Sequence, residues 1–198
     1  MSGVDPNTRL NLSKASVLLV ESSQHSADVL AQIMKGFGVS EVHRALASDA
    51  AEKMLRAKTF DLIVIDPTVS DGDGYRMLQE LRHSSGANAY VPVVLISGHV
   101  RAQDVARARD TGANFFVTKP ITPNTLLQRI LFVAKDKRPF VQVGNYIGPD
   151  RRFKFEGPPP GSDGRRENDL KSPLGDADEP NMSQNEIDMM IKPQRVMI

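Results

Sequence analysis

The stretch that most constrains the fold is an apolar run that ends in a carboxylate. Residues 61–66 read Asp-Leu-Ile-Val-Ile-Asp, and the next eight residues contain two Gly, one Pro and two further Asp. An unbroken apolar run is typical of a strand buried on both faces, as in a parallel sheet. The turn-rich residues end the strand and leave Asp66 at its carboxyl end, where open α/β sheets bind ligands. Taken alone, Asp66 also fits a simple turn cap.

The same kind of pattern recurs along residues 16–135. Apolar runs predict strands at residues 17–20, 61–65, 91–96 and 114–118, and residues 42–45 predict a weak second strand. Apolar residues at helical spacing predict a helix after each strand, with Ser48 as N-cap of the second and Thr122 as N-cap of the fifth. The fourth helix, residues 101–111, is polar and is expected at one edge. Five such units predict an α/β fold, (βα)5, with a doubly wound parallel sheet and helices on both faces.

Four polar side chains follow the predicted strands at their carboxyl ends. Glu21 follows the first strand, Asp66 the third, Ser97 the fourth and Lys119 the fifth. Because these ends meet at one edge of a parallel sheet, we expect the four side chains to lie together. Two acids there can hold a divalent cation, and a hydroxyl and an ammonium can bind phosphoryl oxygens. The set therefore favours phosphoryl transfer to Asp66.

This arrangement resembles the receiver domain of two-component response regulators, the flavodoxin-like fold of CheY, over residues 16 to about 135. The resemblance rests on Asp66, Asp73-Gly74, Ser97 and Lys119-Pro120, in this order and at the family's spacing. It implies the strand order 2-1-3-4-5 and a phosphoacceptor pocket of Asp66, Ser97 and Lys119. It also implies a histidine kinase as a further partner, and a protein that is not an enzyme.

Three residues depart from the family's pattern. Glu21 is followed by Ser22, where the family usually has two adjacent acids, so Glu21 and Asp66 are the metal ligands left and any Mg²⁺ site is expected to be weak. Phe116 stands at the aromatic switch position, and Ser70 stands where the family usually has Pro. We therefore expect a degenerate pocket that is kept as a scaffold, with phosphorylation of Asp66 as the alternative.

Composition limits the remaining classes of protein. The 198 residues carry a formal net charge of +1, which gives no global field to attract DNA, and they include no cysteine for a disulfide or a thiolate metal site. The polar start and the absence of a long apolar run predict neither a signal peptide nor membrane insertion. We expect a cytoplasmic protein with a disordered N-terminus over residues 1–15 and a receiver domain over residues 16–136.

The composition changes in the tail, residues 137–180. Between residues 144 and 180, 12 of 37 residues are Gly or Pro, against about 12% on average, which predicts a largely disordered segment. Two arginine pairs flank a run of three prolines, and three aromatic residues lie beside the first pair. Guanidinium groups pair with phosphate and guanine, and aromatic rings stack on bases. The tail is therefore predicted to bind a ligand, with a solvated basic linker or a loose RNA contact as alternatives.

Cyclic di-GMP, with two guanines and two phosphates, would use every one of these features. Residues 166–169 read Arg-Glu-Asn-Asp, an Arg-x-x-Asp pattern that resembles the inhibitory site of diguanylate cyclases. The whole tail resembles that of the Cle proteins, CheY-like regulators with an arginine-rich tail that binds cyclic di-GMP. The predicted ligand contacts are Tyr146, Asp150, Arg151, Arg152, Phe153, Arg165, Arg166 and Asp169.

The last predicted element is a short amphipathic helix within residues 181–198. Ser183 and Glu186 form a capping box, and Ile187, Met190 and Ile191 share one face that needs a partner. The stretch resembles the N-terminal peptide of FliM, the flagellar switch protein that binds CheY. By this resemblance the helix is expected on the fourth helix, fifth strand and fifth helix of its own chain or of a neighbouring copy. A generic capped helix is the alternative.

Together these resemblances imply a CheY-like adaptor that binds cyclic di-GMP through its tail. They imply recruitment to the flagellar base, where the adaptor engages the motor switch and modulates motility and surface attachment. The alternative function is that of a phosphorylation-dependent single-domain response regulator with Asp66 as its phosphoacceptor.

Overall fold

A five-stranded parallel sheet forms the centre of the computed structural model, which describes residues 12–136, 138–151 and 183–191. Its strands are β1 (Ser16–Val20), β2 (Glu41–Ala45), β3 (Leu62–Ile65), β4 (Val93–Ser97) and β5 (Phe115–Thr118). They lie in the order β2-β1-β3-β4-β5, which confirms the predicted doubly wound topology. The apolar runs located β1, β3, β4 and β5, because these strands are buried on both faces, whereas β2 lies at an edge of the sheet and is mostly exposed or half-buried.

Five helices connect the strands and cover the sheet. They are α1 (Gln24–Gly36), α2 (Ser48–Ala57), α3 (Gly74–His83), α4 (Ala102–Asp110) and α5 (Pro123–Ala134). A 3-10 turn, Ala87–Tyr90, precedes β4. The predicted cap of α5 is confirmed, because the Thr122 hydroxyl oxygen accepts a hydrogen bond from the Thr125 backbone N–H at 3.1 Å.

The predicted cap of α2 is wrong. Ser48 is the first residue of the helix, and the cap comes from the loop between β3 and α3. The Asp71 carboxylate accepts from the backbone N–H groups of Ser48 at 2.7 Å and Asp49 at 3.2 Å. Because these bonds favour the charged carboxylate, they hold the pKa of Asp71 below its ordinary value. The loop that follows the phosphoacceptor strand is thereby tied to the start of α2.

Neighbouring residues of each strand face opposite sides of the sheet, as the period of two requires. Leu18 and Phe116 belong to one buried cluster, which they share with residues of α2, α3 and α4. Leu19 and Phe115 belong to the other, with residues of α1 and α5. All residues of β1, β3 and β4 are buried, so the sheet is covered on both faces as predicted.

The tail begins with an ordered hairpin, where the sequence predicted disorder. β6 (Phe140–Val143) and β7 (Tyr146–Pro149) pair antiparallel around the two-residue loop Gly144-Asn145. Gly144 has φ +57°, and positive φ values occur only at glycines among the described residues. Glycine with positive φ at the first loop position is typical of the type II′ turn, whose twist suits a hairpin. The ordered body therefore extends to Arg151 instead of ending at residue 136.

The hairpin packs on α3 and on the loop between α4 and β5. A Cβ atom at Gly112, whose φ is +85°, would lie 2.3 Å from the Ile147 carbonyl oxygen, so this backbone contact requires glycine. The Phe140 ring lies 5.0 Å from the Arg82 guanidinium carbon and meets the Tyr90 ring edge-on, with centroids 5.7 Å apart. The hairpin therefore packs closely against the rest of the domain.

Arg82 is a buried cation beneath this hairpin, with only 2% of its surface exposed. Its guanidinium donates to the carbonyl oxygens of Ala89 and Val91, both at 2.8 Å. It also donates to the Gly112 carbonyl at 3.0 Å and to the Asn114 side-chain oxygen at 3.2 Å. Burial lowers the pKa of Arg82 to about 10, which still leaves it charged at neutral pH. Its carbonyl partners join the 3-10 turn to the start of β5.

The last described element is α6 (Gln184–Ile191), which begins with the predicted capping box. The Ser183 backbone N–H donates to the Glu186 carboxylate at 2.7 Å, and the Glu186 N–H donates to the Ser183 hydroxyl at 3.4 Å. The helix lies on α4 and β5 of its own chain, which is one of the two placements expected from the sequence. No helix in the described ranges has the length and apolarity needed to cross a membrane. The disorder predicted for residues 1–15 falls mostly outside the described residues, as does the tail from residue 152 to 182.

Candidate functional site

Three of the four predicted pocket residues meet at the carboxyl edge of the sheet. The Lys119 ammonium donates to the Glu21 carboxylate at 2.6 Å and to the Asp66 carboxylate at 2.5 Å. Glu21 is 3% exposed and Asp66 is 9% exposed. One cation from the end of β5 is thus shared by two buried acids from the ends of β1 and β3, which confirms the predicted convergence of these residues.

Short-range hydrogen bonds orient both acids. Oδ1 of Asp66 accepts from the Thr68 backbone N–H at 2.8 Å, and Oε1 of Glu21 accepts from the Ser23 backbone N–H at 3.0 Å. The second oxygen of each carboxylate is the one that faces Lys119. Oδ2 of Asp66 therefore has a cationic partner, and Oδ1 has a backbone N–H as its partner.

The pocket keeps Lys119 protonated. Burial alone lowers the pKa of an ammonium, but the hydrogen bonds to Asp66 and Glu21 act in the opposite direction and outweigh it. The pKa of Lys119 is therefore raised above its ordinary value. An ammonium that is charged at neutral pH beside Asp66 is suited to bind an anionic group that forms on this carboxylate.

Ser97 ends β4 at the same edge and is 4% exposed. Its hydroxyl donates to the His99 carbonyl oxygen at 2.9 Å and accepts from the His99 backbone N–H at 3.3 Å. In this arrangement the hydroxyl stabilises the loop that follows β4. The predicted contact of Ser97 with a phosphoryl oxygen stays a prediction.

The residues present do not fit a tight Mg²⁺ site. Within the described ranges, no group of three or more His, Cys, Asp or Glu side chains converges as metal ligands do. Ser22 stands where a second acid would follow Glu21, and its hydroxyl donates to the Thr68 carbonyl oxygen at 3.3 Å. The two remaining carboxylates, Glu21 and Asp66, both contact Lys119, whereas Mg²⁺ prefers free carboxylate oxygens in octahedral geometry. Weak Mg²⁺ binding at these two acids stays a prediction.

A second candidate site is the α4–β5–α5 face, where α6 lies. The Gln184 side-chain oxygen accepts from the Thr118 backbone N–H at 2.9 Å, and its side-chain nitrogen donates to the Phe116 carbonyl oxygen at 3.1 Å. β5 is an edge strand of the sheet, so these are backbone groups that a further strand would otherwise pair. The Gln184 amide thus pairs with both a backbone N–H and a backbone carbonyl of edge strand β5. Sequence analysis missed the role of Gln184, because the strand order places β5 at an edge but does not show which side chain lies against it.

Two further residues of α6 hold it on this face. Ile187 is fully buried and joins the core cluster that contains Val105 and Phe116. The Asp188 carboxylate accepts from the Arg129 guanidinium of α5 at 2.5 Å, in an ion pair whose side chains are 10% and 15% exposed. The face therefore recognises a helix through an amide, an apolar group and an acid, at the first, fourth and fifth positions of α6.

The predicted ligand residues divide into two groups. Arg152, Phe153, Arg165, Arg166 and Asp169 lie outside the described residues. Tyr146 and Arg151 lie together at the end of the hairpin, with the guanidinium 3.8 Å from the ring centroid. Asp150 lies beside them but is buried, with its backbone N–H donating to the Pro139 carbonyl oxygen at 2.8 Å. Asp150 is therefore a buried residue at the end of the hairpin, and its contact with the ligand stays a prediction.

Comparison with known families identifies the class of the chain. The sequence model of the response regulator receiver domain matches residues 17–131, more than half of the chain. The chain therefore belongs to the response regulator receiver domain family. The match covers the five strands, the five helices that connect them and all the residues of the carboxyl-edge pocket. It ends before the hairpin and α6.

Two curated relatives illustrate the extent of the similarity. The swarming motility regulation protein RssB of Serratia marcescens is 30% identical over 120 residues, which are 61% of this chain and 53% of the relative. The phosphate regulon transcriptional regulatory protein PhoB of Escherichia coli is 28% identical over 119 residues, 60% of this chain and 51% of the relative. The chain thus spans about half the length of these relatives.

Solved structures agree on the fold. The non-phosphorylated HemR receiver domain from Leptospira biflexa is 26% identical with a TM-score of 0.57, over 65% of this chain and 100% of that one. The chemotaxis response regulator CheY4 of Vibrio cholerae is 23% identical with a TM-score of 0.56, over 60% of this chain and 98% of that one. At 23% identity, the similarity to CheY4 shows the fold alone.

Proposed function

We propose that this receiver is a CheY-like adaptor that binds cyclic di-GMP and acts on the flagellar motor. The arginine-rich tail takes the ligand, and the α4–β5–α5 face then engages a helix of a FliM-like switch protein. The protein works at the flagellar base and modulates motility and surface attachment, without turning over a substrate. The observation that carries the proposal is that α6, which resembles the FliM peptide, lies on this face.

The motor partner is supported by the chemistry of the α6 contacts. The peptide pattern Ser-Gln-x-Glu-Ile-Asp includes the three residues that hold α6: Gln184, Ile187 and Asp188. A partner helix with the same pattern can make the same hydrogen bonds to β5 and the same ion pair to Arg129. The Serratia marcescens relative is a swarming motility regulation protein, which is consistent with an output on motility.

The ligand is supported by the composition of the tail and by the position of its first arginine. Arg151 is the first arginine of its pair and ends the described range that holds the hairpin. Its guanidinium lies over the ring of Tyr146 in β7. A guanidinium over an aromatic ring is the kind of surface on which a guanine base stacks. The hairpin therefore presents the start of the arginine-rich segment at a defined place on the body.

Calorimetric titration of the full chain with cyclic di-GMP tests the ligand. Replacing Arg165 and Arg166 together by Ala should weaken binding by at least about tenfold, since a charged hydrogen bond contributes roughly 1.5–3 kcal/mol. The matched control replaces Arg56 and Arg76, two exposed arginines of α2 and α3, and should leave the affinity unchanged. No heat of binding to the wild-type chain, or equal losses in both double variants, would contradict the proposal.

Pull-down of a flagellar switch protein by the full chain, with and without cyclic di-GMP, tests the partner. Ligand should increase the amount of switch protein retained. Arg129→Glu should abolish retention, because it removes the cation that pairs with the partner's acid. Arg44→Glu, an exposed arginine at the opposite edge of the sheet, is the control. Retention that depends on neither the ligand nor Arg129 would exclude this output.

A second candidate function is phosphorylation of Asp66 by a histidine kinase. The contact between Lys119 and Oδ2 of Asp66 favours it, because the ammonium is placed to pair with an oxygen of the transferred group. In this step Oδ2 attacks phosphorus, the bond from phosphorus to the donor nitrogen breaks, and the donor histidine retains the electron pair. Incubation with acetyl phosphate and intact-mass measurement tests the pocket. A mass increase of one phosphoryl group that Asp66→Asn abolishes would support this function.

A further inference from the structure

The α4–β5–α5 face is already occupied by a segment of the same chain. Gln184 bonds to two backbone groups of β5, Phe116 and Thr118, in the way that a neighbouring peptide group would. Its side-chain nitrogen also donates to the Asp188 carboxylate at 2.8 Å, one helical turn away. The polar contacts of α6 are therefore connected with one another, which favours a single position of the helix on the face.

The apolar and charged contacts fix the same position. Ile187 is 0% exposed and packs in the core cluster with Val105 and Ala108 of α4. The Arg129 guanidinium, which pairs with Asp188, also lies 4.7 Å from the Phe115 ring centroid. Removal of α6 would leave this cation without its acid and would expose the Ile187 site. The buried apolar contact and the ion pair therefore define one specific position of α6 on the face.

We infer that α6 is an intramolecular competitor of the partner helix, so that the chain blocks its own output face until α6 leaves. This inference rests on the proposed function for the identity of the partner, but the block itself rests only on the contacts of α6. The face recognises the pattern Gln-x-x-Ile-Asp at the start of a capped helix. Any partner helix with this pattern therefore competes with α6 for the same face.

The length of the connecting segment makes this competition effective. Thirty-one residues, 152–182, lie between Arg151 at the end of the hairpin and Ser183. A tethered group acts at an effective concentration on the order of 1 mM. With an intrinsic dissociation constant of about 0.1 mM for α6 itself, a free helix would therefore bind roughly tenfold more weakly to the self-occupied chain.

The test uses full chains and a fluorescent synthetic peptide that copies residues 181–198. In the variant Ile187→Glu, a charge enters the apolar site and α6 should leave, so the peptide should bind about tenfold more tightly than to the wild type. Asn185→Glu adds the same charge to the exposed side of the same helix and should leave the affinity unchanged. Gln184→Ala, a milder change, should shift the affinity in the same direction as Ile187→Glu but less.

Amide NMR provides the second measurement. The Thr118 amide should shift in Ile187→Glu and keep its wild-type position in Asn185→Glu, because Gln184 accepts its hydrogen bond only when α6 is docked. Equal peptide affinities for the wild type and Ile187→Glu, with an unchanged Thr118 amide, would overturn the inference. Neither cyclic di-GMP nor a motor protein enters this experiment, so its failure is distinguishable from a failure of the proposed function.

Discussion

Arg151 and Asp110 form an ion pair, 2.9 Å long, between the end of the hairpin and the end of α4. The same guanidinium donates to the Arg109 carbonyl oxygen at 3.1 Å and covers the ring of Tyr146. Asp110 is 57% exposed at its side chain, so an incoming anion has access to the pair. The first arginine of the proposed ligand segment is therefore held by a carboxylate that a phosphate group must displace.

The first prediction is that Asp110→Asn strengthens binding of cyclic di-GMP. An exposed ion pair is worth about 0.2–1 kcal/mol, so its loss should improve the dissociation constant by up to about fivefold. Calorimetric titration of the full chain measures the change. Asp28→Asn breaks an exposed pair with Arg44 far from the hairpin and is the control. Weaker binding by Asp110→Asn would mean that the ion pair positions Arg151 for the ligand instead of competing with it.

The second prediction concerns the pocket at the carboxyl edge. Lys119→Met leaves Glu21 and Asp66 as two adjacent buried acids without a cation, which should cost about 3 kcal/mol of unfolding free energy at pH 7. Denaturant titration gives this value. Lys14→Met, at a lysine near the start of the sheet, is the control and should change stability little. A neutral effect of Lys119→Met would indicate that one of the acids takes up a proton.

The contribution of Lys119 should depend on pH in a defined direction. Its folded-state pKa is raised above the unfolded value, so the stabilisation is fully present below the unfolded pKa and is lost as the pH rises through the folded pKa. The difference in unfolding free energy between wild type and Lys119→Met should therefore shrink at alkaline pH. Taking the difference removes the titration of Arg82 and of the tyrosines, which both proteins share. A difference that grows with pH would contradict the raised pKa.

The third prediction is that Asp66→Asn leaves the affinity for cyclic di-GMP within about twofold of the wild type. The pocket of Asp66 and the proposed ligand residues share no member, and distant sites with no common partner usually behave independently. The measurement is the same calorimetric titration, with a wild-type circular dichroism spectrum as evidence that the variant is folded. A much larger loss of affinity would favour the phosphorylation-dependent function or a coupling between the two sites.

The fourth prediction is that Gly112→Ala detaches or strains the hairpin. The methyl group would meet the Ile147 carbonyl oxygen at 2.3 Å in a backbone conformation with positive φ, so a cost of about 1–3 kcal/mol is expected. Thermal or denaturant unfolding measures it. Gly86→Ala is the control, because a Cβ atom there has nothing within 4 Å. Equal stability of the two variants would exclude close docking of the hairpin.

The apolar runs located β1, β3, β4 and β5 because these strands are buried on both faces and each one ends at or just before a polar side chain. Glu21, Asp66 and Lys119 could be placed together from sequence for the same reason, since parallel strands bring their carboxyl ends to one edge. The cap of α2 could not be predicted from sequence, because Asp71 lies 23 residues beyond the helix start that it caps. Local patterns identify local caps, and this one depends on the tertiary fold.

The hairpin escaped sequence analysis because the composition was averaged over too long a segment. The Gly and Pro content of residues 144–180 predicts disorder, but the first part of the tail alternates apolar residues around Gly144-Asn145. Two short apolar runs separated by Gly-Asn are a hairpin signal. The burial of Asp150 follows from the hairpin and could not be predicted without it. The role of Arg82 was hidden too, because a buried arginine bonded to carbonyl oxygens has no sequence motif.

The amide bridge from Gln184 to β5 has a consequence for the energetics of signalling. A partner helix that replaces α6 remakes the two backbone hydrogen bonds, the buried apolar contact and the ion pair with Arg129. Binding then exchanges one set of contacts for a nearly equal set, so the balance between the two states is set by the tether of α6 and by the partner concentration rather than by the strength of the contacts. A balanced exchange of this kind is reversed by small inputs: about 1.4 kcal/mol changes the ratio of the two states tenfold. Under the proposed function, a small binding energy from cyclic di-GMP or a modest rise in local partner concentration would then shift this balance.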